Sequence, residues 1–104
     1  MKKHPYSSPE ITLRKPYSLC TDVYAIGIML WEVASLKEPY PNIMTKDYID
    51  KVINGKTRPR LYHNKWSKEL CNLIGNCWDD DPSVRPTMDT VYNSLDHEIK
   101  TLME

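Results

Sequence analysis

The sequence predicts an all-α fold, one central buried helix with three amphipathic helices around it. Three observations predict this. Thr21 to Leu36 (TDVYAIGIMLWEVASL) is apolar from Val23 to Trp31 except at Gly27, and apolar residues resume at Val33. Three later stretches carry apolar residues at helical spacing. No segment shows the strict alternation of a half-buried strand.

Residues 1–19 read as a loop. Pro5, Pro9 and Pro16 break regular structure, and Pro9 can open only a short helical turn to Leu13, with Ser8 as its cap. The central helix follows, beginning near Cys20 or Thr21. An ordinary surface helix shows one apolar stripe; this run is apolar nearly all round, so other protein is expected on every side. Asp22 opens it and Glu32 lies near its end. A carboxylate at a buried helix start is costly unless it accepts hydrogen bonds, so Asp22 is expected to hold something.

Glu38-Pro39-Tyr40-Pro41-Asn42 stops that helix. A second is predicted over Thr45 to Asn54, with Thr45 as N-cap, Gly55 beyond its end, and Tyr48, Ile49, Val52 and Ile53 on one face. Residues 56–66 (KTRPRLYHNKW) have no period and read as a solvated basic loop. Ser67 caps a third helix reaching about Trp78, with Leu70, Leu73, Ile74 and Cys77 at helical spacing. After the acidic, proline-broken DDDPSVRPT, Thr87 caps a fourth helix with Met88, Val91, Tyr92, Leu95, Ile99 and Leu102 on one side.

Composition excludes several functions. At 104 residues the chain is one domain or part of one. Its formal net charge is zero, which argues against nucleic acid or an anionic membrane as partner. The central apolar run is shorter than the roughly 20 residues a membrane span needs, and acids flank it. The opening MKKHPYSSPE lacks the apolar core of a signal peptide, so an intracellular, cytoplasmic protein is expected. Cys20, Cys71 and Cys77 are odd in number without CxxC spacing, and His4, His63 and His97 fit no metal motif. Only Gly27, Gly55 and Gly75 occur, so no GxG phosphate loop can be built.

Four pieces, in order, resemble the protein kinases: PYSSPE the end of an activation segment (x-P-x-x-A-P-E), TDVYAIGIMLWEV the central C-lobe helix, EPYPN the turn after it, and CWDDDPSVRPTM the C-W-x-x-x-P-x-x-R-P-T block. The spellings lean toward the tyrosine-kinase-like and tyrosine kinase groups. The resemblance implies the helical C-lobe portion of the kinase fold, a partial domain over 1–104. Residues 1–19 would end the activation segment, and 20–104 would form a helical subdomain. It implies that Glu10 and Arg85 form an ion pair pinning the activation segment, and that Asp22 anchors the catalytic loop. Pro5, Tyr6, Ser7 and Ser8 would form the substrate-docking loop. Trp31 and Trp78 are core anchors, Trp78 beside Pro86. Glu32 is either structural or a contact for a basic substrate residue. Ser8 in place of alanine and Ala25-Ile26 in place of Ser-Phe depart from the pattern without disturbing the fold.

Phosphoryl transfer by kinases needs a phosphate-binding lysine, a catalytic aspartate, and an Asp and Asn that hold magnesium. The V-A-I-K, H-R-D-x-x-x-x-N and D-F-G motifs that supply them do not occur in this sequence. No catalytic, metal or cofactor residue is therefore assigned; ATP and Mg belong to the complete kinase. The expected partners are a protein substrate or the other half of a kinase, with self-association through an exposed apolar face. A stand-alone, non-catalytic protein-binding module is the alternative reading.

Overall fold

The computed structural model describes residues 6–13, 18–41 and 43–102, excluding the side chains of Thr45 and Leu102. Pro5 and Asn42 lie outside the described residues. Helices dominate and no strand forms among the described residues, so the fold is all-α. The helices are α1 (Pro9–Thr12), α2 (Leu19–Ser35), α3 (Thr45–Asp47), α4 (Lys68–Cys77) and α5 (Met88–Leu102). α3 runs on as a π-helical segment, Tyr48–Asn54, and a 3₁₀ turn, Pro82–Val84, precedes α5.

α2 starts at Leu19, one residue ahead of Cys20 and two ahead of Thr21, the predicted starts. The Ser18 N–H donates to Thr21 Oγ1 at 3.2 Å, and the Thr21 N–H donates to the Ser18 carbonyl at 3.0 Å, closing the first turn from Ser18. It also ends before the prolines. Leu36 takes a left-handed conformation (φ 58°) and returns its N–H to the Glu32 carbonyl at 2.8 Å. Within this chain the cover of α2 is incomplete: Thr21, Val23, Tyr24, Ile28 and Trp31 are buried, while Leu19, Met29 and Val33 are exposed, in line with the expected exposed apolar face.

That side carries the core. Tyr24, Ile28 and Trp31 of α2 pack with Ile74 and Trp78, while Val23 packs with Leu73, Cys77 and Val91. The two helices approach so closely that a Cβ on Gly27 would lie 2.7 Å from Cys77 Cβ. A third cluster, Tyr48, Val52 and Ile53 with Tyr40 and Ile43, forms around the π-helical segment. There the Gly55 N–H bonds the carbonyl of Asp50, five residues back, at 3.0 Å. The wider turn brings residues four and five apart together and leaves Ile49, predicted on the buried face, exposed. Gly55 is not the left-handed residue after this helix (φ −85°); Lys56 is, at φ 60°.

α4 follows the prediction: Ser67 Oγ accepts the Leu70 N–H at 3.0 Å and donates to Glu98 of α5 at 2.6 Å. In α5, Thr87 Oγ1 accepts the Thr90 N–H at 3.1 Å. Its buried stripe is narrower than predicted: Val91 is buried and Leu95 half-buried, but Met88, Tyr92 and Ile99 are exposed. Among the described side chains, α5 packs on α4 and, through Val91, on Val23 of α2, and this covers only Val91 and part of Leu95; the Leu102 side chain lies outside the described residues.

The basic stretch 56–66 is also corrected. Leu61, Tyr62 and Trp66 pack against the α2–α4 core, and the buried Trp31 indole donates to the Arg60 carbonyl at 2.6 Å. Its aromatic content outweighs its charge because each ring removes a large apolar area from water.

Candidate functional site

The N-terminal segment is held by one buried ion pair. Arg85 Nη1 lies 2.7 Å from Glu10 Oε2 and Nη2 lies 3.0 Å from Oε1, a bidentate arrangement. Both groups are nearly sealed from solvent, the Arg85 side chain at 0% exposure and Glu10 at 8%. Such burial is tolerable only when the remaining donors are used. Here Nη1 also donates to the Cys20 carbonyl (2.9 Å) and Nε to the Asp79 carbonyl (2.8 Å), while Thr21 Oγ1 donates to Glu10 Oε2 (3.1 Å). The guanidinium lies 5.0 Å from the centre of the buried Tyr24 ring. Burial alone would push the Glu10 carboxyl up. The hydrogen bond and charge of Arg85, a backbone N–H and Thr21 outweigh that burial and hold the carboxyl below the usual carboxylate range.

Local sequence delivers each member. Pro9 starts α1, which places Glu10 in its first turn. The 3₁₀ turn is fixed by Asp81, whose side chain accepts the Ser83 N–H at 3.0 Å, and it ends at Arg85 in extended conformation, pointing back under α2.

The residues before Glu10 lie on α2 and the π-helical segment. The Tyr6 hydroxyl donates to Glu32, and the Tyr48 hydroxyl donates to the Ser7 carbonyl at 3.5 Å. Glu32 thus contacts Tyr6 of its own chain. Ser8 stands at the N-cap position of α1 without making a side-chain cap bond, contrary to expectation. Its Oγ is fully buried and has no hydrogen-bond partner.

Asp22 lies on the first turn of α2 and is exposed, so it does not stand at a buried helix start within this chain. Trp31 and Trp78 are both buried in the α2–α4 core. Trp78 shares its cluster with Tyr24, Ile28, Trp31 and Ile74, and Pro86 lines a hollow of about 420 Å³ with Leu19, Cys20, Val23 and Met88.

Arg58 escaped the sequence reading. Its Nε donates to the Trp78 carbonyl at 2.9 Å and Nη1 to the Val52 carbonyl at 3.0 Å, and its guanidinium lies 5.2 Å from the Tyr24 ring centre. It joins all three parts of the molecule around Tyr24. The only sequence signal was an arginine between a helix end and Pro59, which is compatible with solvent exposure.

Among the described residues no three His, Cys, Asp or Glu side chains come together to hold a metal ion. No described helix is long and apolar enough to cross a membrane.

The sequence model of the family described as protein tyrosine and serine/threonine kinase matches residues 2–95. The chain belongs to the protein kinase family. Similar curated proteins include the dual specificity protein kinase shkC of Dictyostelium discoideum, 32% identical over 90% of this chain and 19% of that protein. A probable LIM domain-containing serine/threonine-protein kinase of the same organism is 39% identical over 86% of the chain and 14% of its own length. The fibroblast growth factor receptor of Halocynthia roretzi is 35% identical over 77% and 10%. The chain thus spans about a fifth or less of these relatives, and it corresponds to a fragment of a kinase domain.

Proposed function

We propose that this chain is the part of a protein kinase C-lobe that scaffolds the catalytic loop, whose own motif lies outside this sequence, and docks protein substrate. Phosphoryl transfer from ATP–Mg would then depend on groups that these residues do not supply. The observation that carries the reading is the sealed Arg85–Glu10 pair, which fixes the segment Tyr6–Thr12 against α2. A docking loop must keep one shape to select a substrate, and this pair supplies that rigidity. Asp22, exposed on the first turn of α2, is where a catalytic loop would be held. The exposed Leu19, Met29 and Val33 favour a lobe that meets further protein over a stand-alone module, the second reading. The partners proposed are a protein substrate and the remainder of a kinase, in an intracellular setting.

The test has two arms. Incubation of the chain with ATP–Mg and a generic peptide should transfer no phosphate above blank; robust turnover would overturn the catalytic part. Separately, the isolated chain should melt broadly or self-associate. A sharp, two-state melt of a monomer would favour the stand-alone module.

A further inference from the structure

The stretch 56–68 contains Lys56, Arg58, Arg60, Lys65 and Lys68 and no acidic residue. The structure splits this charge in two. Lys56 and Arg58 each face Asp80 at 3.7 Å, so that end carries one carboxylate shared between its two cations. Arg60 and Lys65 turn instead toward Tyr62, where they meet Lys37 from beyond the end of α2. The three cations lie 5.5, 5.8 and 5.0 Å from the Tyr62 ring centre, and no ion pair ties any of them to an acid among the described residues.

Three like charges around one ring repel, and only partial relief comes from the ring face and the phenol. The Lys37 ammonium donates to the Tyr62 hydroxyl at 2.9 Å. That bond and the neighbouring cations hold the phenol below its ordinary pKa. Beside them is a hollow of about 120 Å³, lined by Ala34, Ser35, Lys37, Tyr62, Lys65 and Trp66. Two of the lining residues, Tyr62 and Trp66, pack edge to face with ring centres 5.2 Å apart. The Ser35 side-chain oxygen accepts the Lys37 backbone N–H at 3.1 Å, which leaves its own O–H to turn toward the hollow.

We propose that this hollow is a docking site for an acidic side chain of a partner protein's peptide segment, with Lys37 and Lys65 of its lining on the carboxylate, Tyr62 and Ser35 as hydroxyl donors, and Arg60 adding positive charge from beside Tyr62. Charge complementarity selects the occupant: focused, unpaired cations meet one compact anion. The small volume fits a carboxylate side chain rather than a base and sugar. Asp80 interrupts the basic track that a long polyanion would follow. The site lies near the C-terminal end of α2, about 20 Å along the helix from Thr21 at the helical rise per residue. It goes beyond the scaffold reading and uses none of its residues.

The experiment titrates the full chain with fluorescein-labelled hexaglutamate, with the matching hexaglutamine peptide and a twelve-nucleotide oligothymidylate as comparisons. Binding is followed by anisotropy and by amide shifts in NMR spectra. Hexaglutamate should bind with shifts confined to residues 34–37 and 60–66, and should weaken at least tenfold in 0.5 M salt. The double variant Lys37→Gln, Lys65→Gln should lose at least tenfold in affinity with unchanged circular dichroism and unchanged amide shifts away from the site, since both lysines are exposed. Lys46→Gln, on α3, should change nothing. Equal binding of hexaglutamine, shifts centred elsewhere, or an unaffected double variant would overturn the proposal. So would tighter binding of the oligothymidylate to the same residues, which would make this a general polyanion surface.

Discussion

Arg85 and Arg58 approach the same buried ring, 5.0 and 5.2 Å from the centre of Tyr24, yet they are held in different ways. Arg85 is sealed against a carboxylate and its charge is matched by Glu10. Arg58 is met by backbone carbonyls of Val52 and Trp78, while its acidic neighbour Asp80 is 3.7 Å away and partly exposed. The first arrangement joins residues 75 positions apart in the chain. The second closes a loop onto the core through the polar ends of elements already formed. A guanidinium can therefore be buried by a matching charge or by a set of carbonyl dipoles, and the two solutions should fail under different conditions.

The largest expected effect is Arg85→Ala. It strands Glu10 in a buried site and should cost about 3–5 kcal/mol. Denaturant titration would measure it, and amide exchange should quicken across residues 6–12. Unchanged protection there would mean that the pair does not pin the segment. Arg58→Ala should cost about 2–3 kcal/mol, because three carbonyls, those of Val52, Thr57 and Trp78, lose a charged donor but no buried charge is left unpaired. Its exchange effect should appear at Val52 to Thr57 rather than at the N-terminus. Asp80→Asn should stay within about 1 kcal/mol, as expected of an exposed partner. A larger loss would show that Arg58 depends on its acid after all.

Acid should separate the two arginines further. Glu10 has a lowered pKa in the folded chain, so the unfolded chain takes up the proton first as pH falls. The stability from this group is fully present above the unfolded value of about 4.3 and is lost as pH drops through the lower folded value. The N-terminal segment should therefore loosen below about pH 4 while the bonds of Arg58 to carbonyls persist. Simultaneous loss of protection at both sites would contradict this.

The smallest effect sharpens the picture beside the clamp. Ser8 buries an unpartnered hydroxyl, so Ser8→Ala should raise stability by about 1 kcal/mol. A loss on that substitution would point to a partner for the hydroxyl.

Much of the clamp was legible because its parts carry motif signatures: PYSSPE gives Glu10 and the RPT block gives Arg85. The same reading failed along α5. Met88, Tyr92 and Ile99 are apolar and fall at helical spacing, yet they are exposed. Periodicity shows which faces could be buried, and only the neighbouring elements decide which ones are. The loop 56–66 failed in the opposite sense, because charge and a missing period hid Arg58, Leu61 and Trp66 as core-contacting residues.

By itself the sequence determined the helical class, the order of the elements, the caps at Ser67 and Thr87, and the family. These depend on local chemistry: apolar spacing, hydroxyls that bond the nearest free N–H groups, and prolines that remove them. Only the tertiary structure decided that Arg58 and Arg85 share one ring, that the second helix widens into a π turn, and that Lys37 meets Arg60 and Lys65. Those pairings join residues far apart in the chain, and no local preference encodes a contact whose partner is set by how the helices stack.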